Sequence, residues 1–95
     1  MDTDRLVGTA KYIVARNVPA TVAAVVLHWD EAHSLVALRY YMDAPPTEGE
    51  SEMCELAIGE LIADVWHSVE NASTFYLVGG LPSALEPSSW AVYQR

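Results

Sequence analysis

The chain has 95 residues, enough for one domain with a modest core, and its composition of 52% hydrophobic and 19% charged residues excludes global disorder. Thirteen acidic residues against five basic ones give a formal net charge of −8, which argues against direct binding of nucleic acid or anionic lipid. A lone cysteine, no signal-peptide pattern and no apolar run of membrane-spanning length together predict a cytoplasmic protein without a membrane anchor.

The first segment, Thr3 to Asn17, is predicted to be a helix. Its apolar residues recur at helical spacing, at Leu6, Ala10, Ile13 and Val14. Thr3 or Asp2 can cap the start, and Asn17 followed by Pro19 marks the end. Because glycine and β-branched residues weaken the helical pattern, a strand over Tyr12 to Val14 is the alternative.

Two strands follow, joined by a hairpin loop at residues 30–33. Ala20 to Trp29 is apolar on both faces, which is typical of a central strand. Ser34 to Met42 alternates, and its two faces hold Val36, Leu38, Tyr40 and Met42 on one side and Leu35, Ala37, Arg39 and Tyr41 on the other. The second face is mixed, so we expect part of it to meet water or a partner.

A long amphipathic helix is predicted from about Glu50 to Val69. Ala44-Pro45-Pro46 breaks the preceding strand, and Thr47 with Glu50 has the form of a capping box. One apolar stripe contains Cys54, Ala57, Ile58, Leu61, Ile62, Val65 and Val69. Acidic residues lie off this stripe, so we expect the helix to bury one side and expose an acidic one.

Two more strands, Ser73 to Val78 and Ser88 to Tyr93, complete the chain, with a turn at residues 79–82 between them. The element order is therefore α-β-β-α-β-β. This order predicts a single α+β domain over residues 1–95, with a four-stranded, mostly antiparallel sheet and two helices packed on one face.

No motif for catalysis, phosphate binding or zinc binding occurs in the sequence. His28, His33 and His67 lack the spacing of metal ligands on one helix face, so we expect no metal site and no cofactor. Cys54 falls on the apolar stripe and is expected to be a buried, inert thiol.

The acidic residues are concentrated in one part of the chain. Between Tyr40 and Gln94 there is no lysine or arginine, and eight acidic residues fall between Asp43 and Glu70 with no compensating partners among their neighbours. Such a run is either a solvated face that maintains solubility or a docking surface for a basic partner. The complete absence of basic residues favours the docking surface, because solvated faces usually mix both signs.

Three short motifs resemble those of small bacterial immunity proteins that accompany polymorphic toxins, including the toxins of contact-dependent growth inhibition. The motifs are Arg39–Asp43 with Pro46-Thr47-Glu48, the acidic helix ending in Ile62-Ala63-Asp64, and the closing Trp90–Arg95. The resemblance implies a non-enzymatic protein that binds one cognate toxin domain and blocks it. Because such toxins are often nucleases, it implies a basic nuclease domain as partner.

The residue pattern fits that role, since carboxylates can mimic phosphates and steer a basic partner. The predicted partner-binding acids are Asp43, Glu48, Glu50, Glu52, Glu55 and Asp64. Affinity also needs an apolar centre, for which the aromatic candidates are Tyr40 or Tyr41, Trp66 and Trp90.

Two other classes of function stay open at this point. An exposed sheet edge would suit a homodimer or another interaction subunit. A small enzyme would instead combine a carboxylate with His33 or His67 in a shallow pocket.

Overall fold

Two helices and four strands follow one another in the predicted order α-β-β-α-β-β. The structure is a computed structural model that describes residues 2–95. The elements are α1 (Thr3–Arg16), β1 (Val22–Asp30), β2 (Leu35–Met42), α2 (Glu48–Val65), a 3₁₀ turn (Trp66–Ser68), β3 (Asn71–Val78) and β4 (Ser89–Gln94). Within residues 2–95, no helix is both long and apolar enough to span a membrane.

The strands form one sheet in the order β3-β2-β1-β4. β1 is antiparallel to both β2 and β4, whereas β3 runs parallel to β2. The predicted mostly antiparallel sheet is therefore confirmed. The parallel pair arises because α2 carries the chain from the end of β2 back to its start.

The core lies between one face of the sheet and both helices. The helices bury Leu6, Ala10, Ile13 and Val14 from α1, and Cys54, Ala57, Ile58, Leu61 and Val65 from α2. The facing strand residues include Val25, Leu27, Trp29, Val36, Leu38, Tyr40 and Met42. The predicted stripe of α2 is thus confirmed, with Ile62 and Val69 packed partly buried against its edge.

The opposite face of the sheet is covered over its two central strands. β3 and β4 lie at opposite edges, so the connection of residues 79–88 must cross β2 and β1. It starts at Gly79, whose φ of +132° is a conformation that favours glycine. The connection lies over Val26 and Tyr41. A carboxylate oxygen of Glu86 in this connection lies 3.5 Å from a guanidinium nitrogen of Arg39. The mixed face stays open near β3, where Phe75 and Leu77 are exposed.

Three details of the predicted elements are wrong. The strand alternative over Tyr12 to Val14 fails, because these residues belong to α1. α2 ends at Val65 instead of Val69, and β3 begins at Asn71 instead of Ser73. The cause is long-range, since the backbone N–H groups of Glu70 and Asn71 both donate to the carbonyl oxygen of Ser34 at 3.0 Å. Those bonds start β3 beside β2 and leave room for only one 3₁₀ turn after α2.

Candidate protein-interaction surface

The first turn of α2 is fixed by a complete capping box. The Thr47 hydroxyl accepts a hydrogen bond from the Glu50 N–H at 3.2 Å, and the Glu50 carboxylate accepts one from the Thr47 N–H at 2.8 Å. Glu50 also accepts a hydrogen bond from the Thr21 hydroxyl. The Thr21 hydroxyl, followed by the Thr47 N–H, holds the pKa of Glu50 below its ordinary value. Glu50, predicted to bind a partner, therefore holds α2 in place.

On the side of α2 that faces α1, the acidic residues are neutralised within the chain. We call Glu60 and Asp64 the paired flank. Arg16 lies 2.5 Å from Glu60, and Arg5 lies 3.8 Å from Asp64. The expectation that the acidic run lacks compensating partners is wrong here, because α1 packs its arginines alongside α2. Asp64, although predicted as a contact residue, already has a basic neighbour.

Asp43 is also neutralised, by the last residue of the sequence. Two nitrogens of Arg95 donate to its two carboxylate oxygens at 2.7 and 2.9 Å, a bidentate arrangement. The guanidinium holds the pKa of Asp43 below its ordinary value. Arg95 donates as well to the carbonyl oxygen of Ala20 at 3.2 Å. Asp43 thus joins the end of β4 to the end of β2.

On the opposite side of α2, three carboxylates have no basic neighbour among the described residues. We call Glu48, Glu52 and Glu55 the acidic flank. All three are exposed, and across residues 2–95 none of them forms an ion pair. Spacings of four and three residues place them in one row along the helix. They line a shallow depression together with Ser51 and the exposed Leu56.

The acidic flank lies beside β3. The Tyr76 hydroxyl donates at long range to the Ser51 carbonyl oxygen, at 3.5 Å, and to the Glu55 carboxylate, at 3.4 Å. Tyr76 points from β3 toward α2 and packs partly buried against the core. The row of unpaired carboxylates therefore runs along the edge of the molecule where the sheet ends.

The predicted aromatic contact residues have different environments. Tyr40 is fully buried in the core, so it is unsuited to anchor a partner, and burial raises its pKa well above the ordinary range. Tyr41 is half-buried beside the segment that crosses the sheet, and Trp90 packs partly buried against the core. Trp66 is 70% exposed on the 3₁₀ turn, with its ring edge-on to His67. Of the four aromatic candidates, Trp66 is the most accessible.

Three exposed apolar side chains on β3 were missed by the sequence interpretation. Phe75, Leu77 and Val78 are 47%, 39% and 66% exposed. Phe75 and Leu77 lie next to Arg39 and Tyr41 in the register of β3 with β2. A signal was available, because the eight residues of β3 include no charge and no proline. What the sequence lacks is the strand order that places β3 at an edge.

The titratable groups outside these flanks form no metal cluster in the part of the chain that the structure describes. His33 lies 2.8 Å from Asp30 on the exposed hairpin turn and holds the pKa of that carboxyl below its ordinary value. Burial raises the pKa of Cys54 to about 11, so its thiol stays neutral near pH 7. Neither group lies on the acidic flank.

A family model described as MafI2 immunity protein matches residues 4–95, and the chain belongs to that family. The match supports an immunity function against a toxin. The predicted resemblance to bacterial toxin immunity proteins is thereby confirmed. No curated protein matches the chain.

Proposed function

We propose that this immunity protein neutralises its cognate toxin by binding it, with no catalytic step of its own, and that the acidic flank of α2 contacts a basic surface of the toxin domain. The observation that carries the proposal is the row of Glu48, Glu52 and Glu55, three carboxylates without a basic neighbour in residues 2–95. Grouped unpaired like charges repel one another, and an oppositely charged partner relieves that repulsion.

A nuclease domain is the toxin activity that suits this surface. An enzyme that cleaves RNA or DNA needs a positively charged groove to hold phosphates. A row of carboxylates can occupy such a groove and mimic the phosphates. The immunity protein would then act in the cytoplasm, where the nucleic acid of the producing cell is exposed to the toxin.

The carboxylates speed the association with the toxin, and nearby apolar groups supply much of the binding affinity. Leu56 is exposed within the same depression as the acidic flank, and Met53 is exposed on the same helix. Trp66 lies beyond the C-terminal end of α2 and offers a large exposed ring. Buried apolar or aromatic anchors surrounded by charges are the usual anatomy of a protein interface.

The test reverses the charge of the acidic flank in one variant, Glu48→Lys with Glu52→Lys and Glu55→Lys. Its matched control is Asp4→Lys with Glu31→Lys and Glu70→Lys, three exposed acidic residues that form no ion pair within residues 2–95. Both triples change the net charge equally. Each is co-expressed with the cognate toxin domain, and cell survival and the dissociation constant are measured.

We expect the acidic-flank triple to lose protection and to bind at least ten-fold more weakly, while the control triple protects. Circular dichroism of both triples checks that they fold. If the acidic-flank triple protects as well as the wild type, the row is only a solvated face. If the two triples fail equally, net charge matters and the location of the acids does not. Either result contradicts the proposal.

A further inference from the structure

The outer edge of β3 is long and unprotected. β3 pairs with β2 over eight consecutive residues, in a parallel register without irregularity. No strand of residues 2–95 pairs with its other side. The opposite edge differs, because β4 has six residues and its pairing with β1 shifts register between Val25 and Val26. Proteins usually guard an edge with a charge, a proline or a bulge, and β3 has none of the three.

The two sides of this edge differ in chemistry. On the side toward α2, the Tyr76 hydroxyl donates a hydrogen bond to Glu55, which belongs to the acidic flank. On the other face, Phe75 and Leu77 are exposed beside Arg39. A strand added along β3 would therefore place alternate side chains against carboxylates and against apolar groups.

We propose that β3 accepts a strand of the toxin domain as the fifth strand of the sheet. That strand carries lysine or arginine on the side facing the acidic flank and apolar residues on the side facing Phe75 and Leu77. The proposal rests on the proposed function for the identity of the partner, and it adds the mode of binding. Backbone hydrogen bonds along β3 would supply affinity, and the two rows of side chains would supply selectivity.

Charge decides between a toxin strand and a second copy of this chain. Antiparallel pairing of two copies of β3 would put both α2 helices on the same face of one continuous sheet. The acidic flanks of the two copies would then meet, and each copy has a net charge of −8. Like charges brought together oppose association. A basic strand at the same edge is attracted instead, so the toxin is the occupant that the charges favour.

The direct test is hydrogen–deuterium exchange of the wild-type protein, alone and bound to its cognate toxin domain. In a strand paired on one side, alternate N–H groups point to the free edge and exchange rapidly. We expect the outward N–H groups of residues 71–78 to exchange at least ten-fold more slowly in the complex, with β4 unchanged as the internal control. Unchanged exchange along β3 in a saturated complex would overturn the proposal.

A pair of single substitutions tests the side chains. Phe75→Ser removes an exposed aromatic ring from the edge, and Tyr12→Ser removes one from α1, where Tyr12 is 65% exposed beneath Arg16. We expect Phe75→Ser to raise the dissociation constant roughly ten-fold or more and Tyr12→Ser to change it less than about two-fold. Equal effects of the two would contradict the proposal.

The two proposals fail in distinguishable ways. If the acidic-flank triple weakens binding while the β3 amides stay unprotected and Phe75→Ser binds normally, strand addition is wrong and the acidic contact stands. If β3 is protected without toxin and light scattering gives the mass of a dimer, a second copy occupies the edge and the strand proposal is overturned. If the acidic-flank triple binds normally while β3 becomes protected, the acidic contact and the basic side of the added strand are both wrong, and only the strand pairing at the edge stands.

Discussion

On the side of α2 facing α1, Glu60 and Asp64 have arginines at 2.5 and 3.8 Å, whereas on the side facing β3, Glu48, Glu52 and Glu55 have no basic neighbour in the described residues 2–95. The two flanks share one helix and one buried stripe, so their difference is not imposed by the core. The paired flank uses its charge to join two helices. The acidic flank leaves like charges at spacings that destabilise a helix slightly. A small cost of this kind is expected where a surface is kept for a partner.

The largest expected effect comes from removing the stripe that both flanks share. Leu61 is fully buried, so Leu61→Ala should lower the free energy of unfolding by roughly 2–5 kcal/mol. Cys54→Ala, which removes a single sulfur atom from the same stripe, should cost clearly less. Urea denaturation measures both. A midpoint that barely moves for Leu61→Ala would show that α2 is not packed as described.

A charge reversal on the paired flank should have the next largest effect. Glu60→Lys puts a second cation beside Arg16 and should lower the free energy of unfolding by about 1 kcal/mol, because the pair is partly exposed. Adding Arg16→Glu restores opposite charges and should recover most of the loss. If the double variant is as unstable as the sum of the two singles, the ion pair contributes nothing and the two flanks do not differ.

Lowering the pH should weaken the interactions of the carboxylates that have partners, because protonation removes their charge. The pKa of Asp43 is lowered by Arg95, and that of Glu50 by Thr21. A carboxylate with a lowered folded-state pKa contributes its full stability above its ordinary value, and this contribution is lost as pH falls through the lowered value. We therefore expect the free energy of unfolding to fall between about pH 5 and about pH 3, and to fall less steeply in Asp43→Asn and Glu50→Gln. Equal slopes in wild type and variants would contradict this.

The smallest expected effect is on the acidic flank itself. Glu52→Lys converts two repulsive neighbour relations, with Glu48 and Glu55, into attractive ones. It should leave the free energy of unfolding unchanged or raise it by a few tenths of a kcal/mol, about 0.2–0.5 per pair. Thermal melting of Glu52→Lys and Glu60→Lys in one experiment compares the stability of the two variants directly. A loss as large as that of Glu60→Lys would mean that the acidic flank has a structural partner after all.

Local patterns predicted α2 and its buried stripe, because a capping box and a helical period are read from adjacent residues. The ion pairs are not local, since Arg16 and Glu60 are 44 residues apart and Asp43 and Arg95 are 52 apart. A sequence without its topology therefore overstates the unpaired acidic surface. Of the six predicted acids, Asp43 and Asp64 have arginine partners and Glu50 is hydrogen-bonded by Thr21 and Thr47. The three acids of the acidic flank have no basic neighbour within residues 2–95.

The same reason explains what was missed on β3. The sequence predicts a strand there, and its lack of charge is visible, but exposure depends on where the strand lies in the sheet. The order β3-β2-β1-β4 makes it an edge and makes residues 79–88 cross the opposite face. Both facts follow from the pairing of strands that are distant in the sequence. Neither hydrophobic periodicity nor composition predicts that pairing.

The rate of association with the toxin domain, measured as a function of salt, shows directly whether the acidic flank contacts the toxin. Salt from about 50 mM to about 500 mM shortens the screening length and suppresses steering between exposed charges. We predict a steep fall for the wild type, a slower and nearly flat rate for the acidic-flank triple, and a steep fall retained by the control triple. If the association rate of the acidic-flank triple falls with salt as steeply as that of the wild type, or if both triples flatten equally, the acidic flank does not steer the toxin.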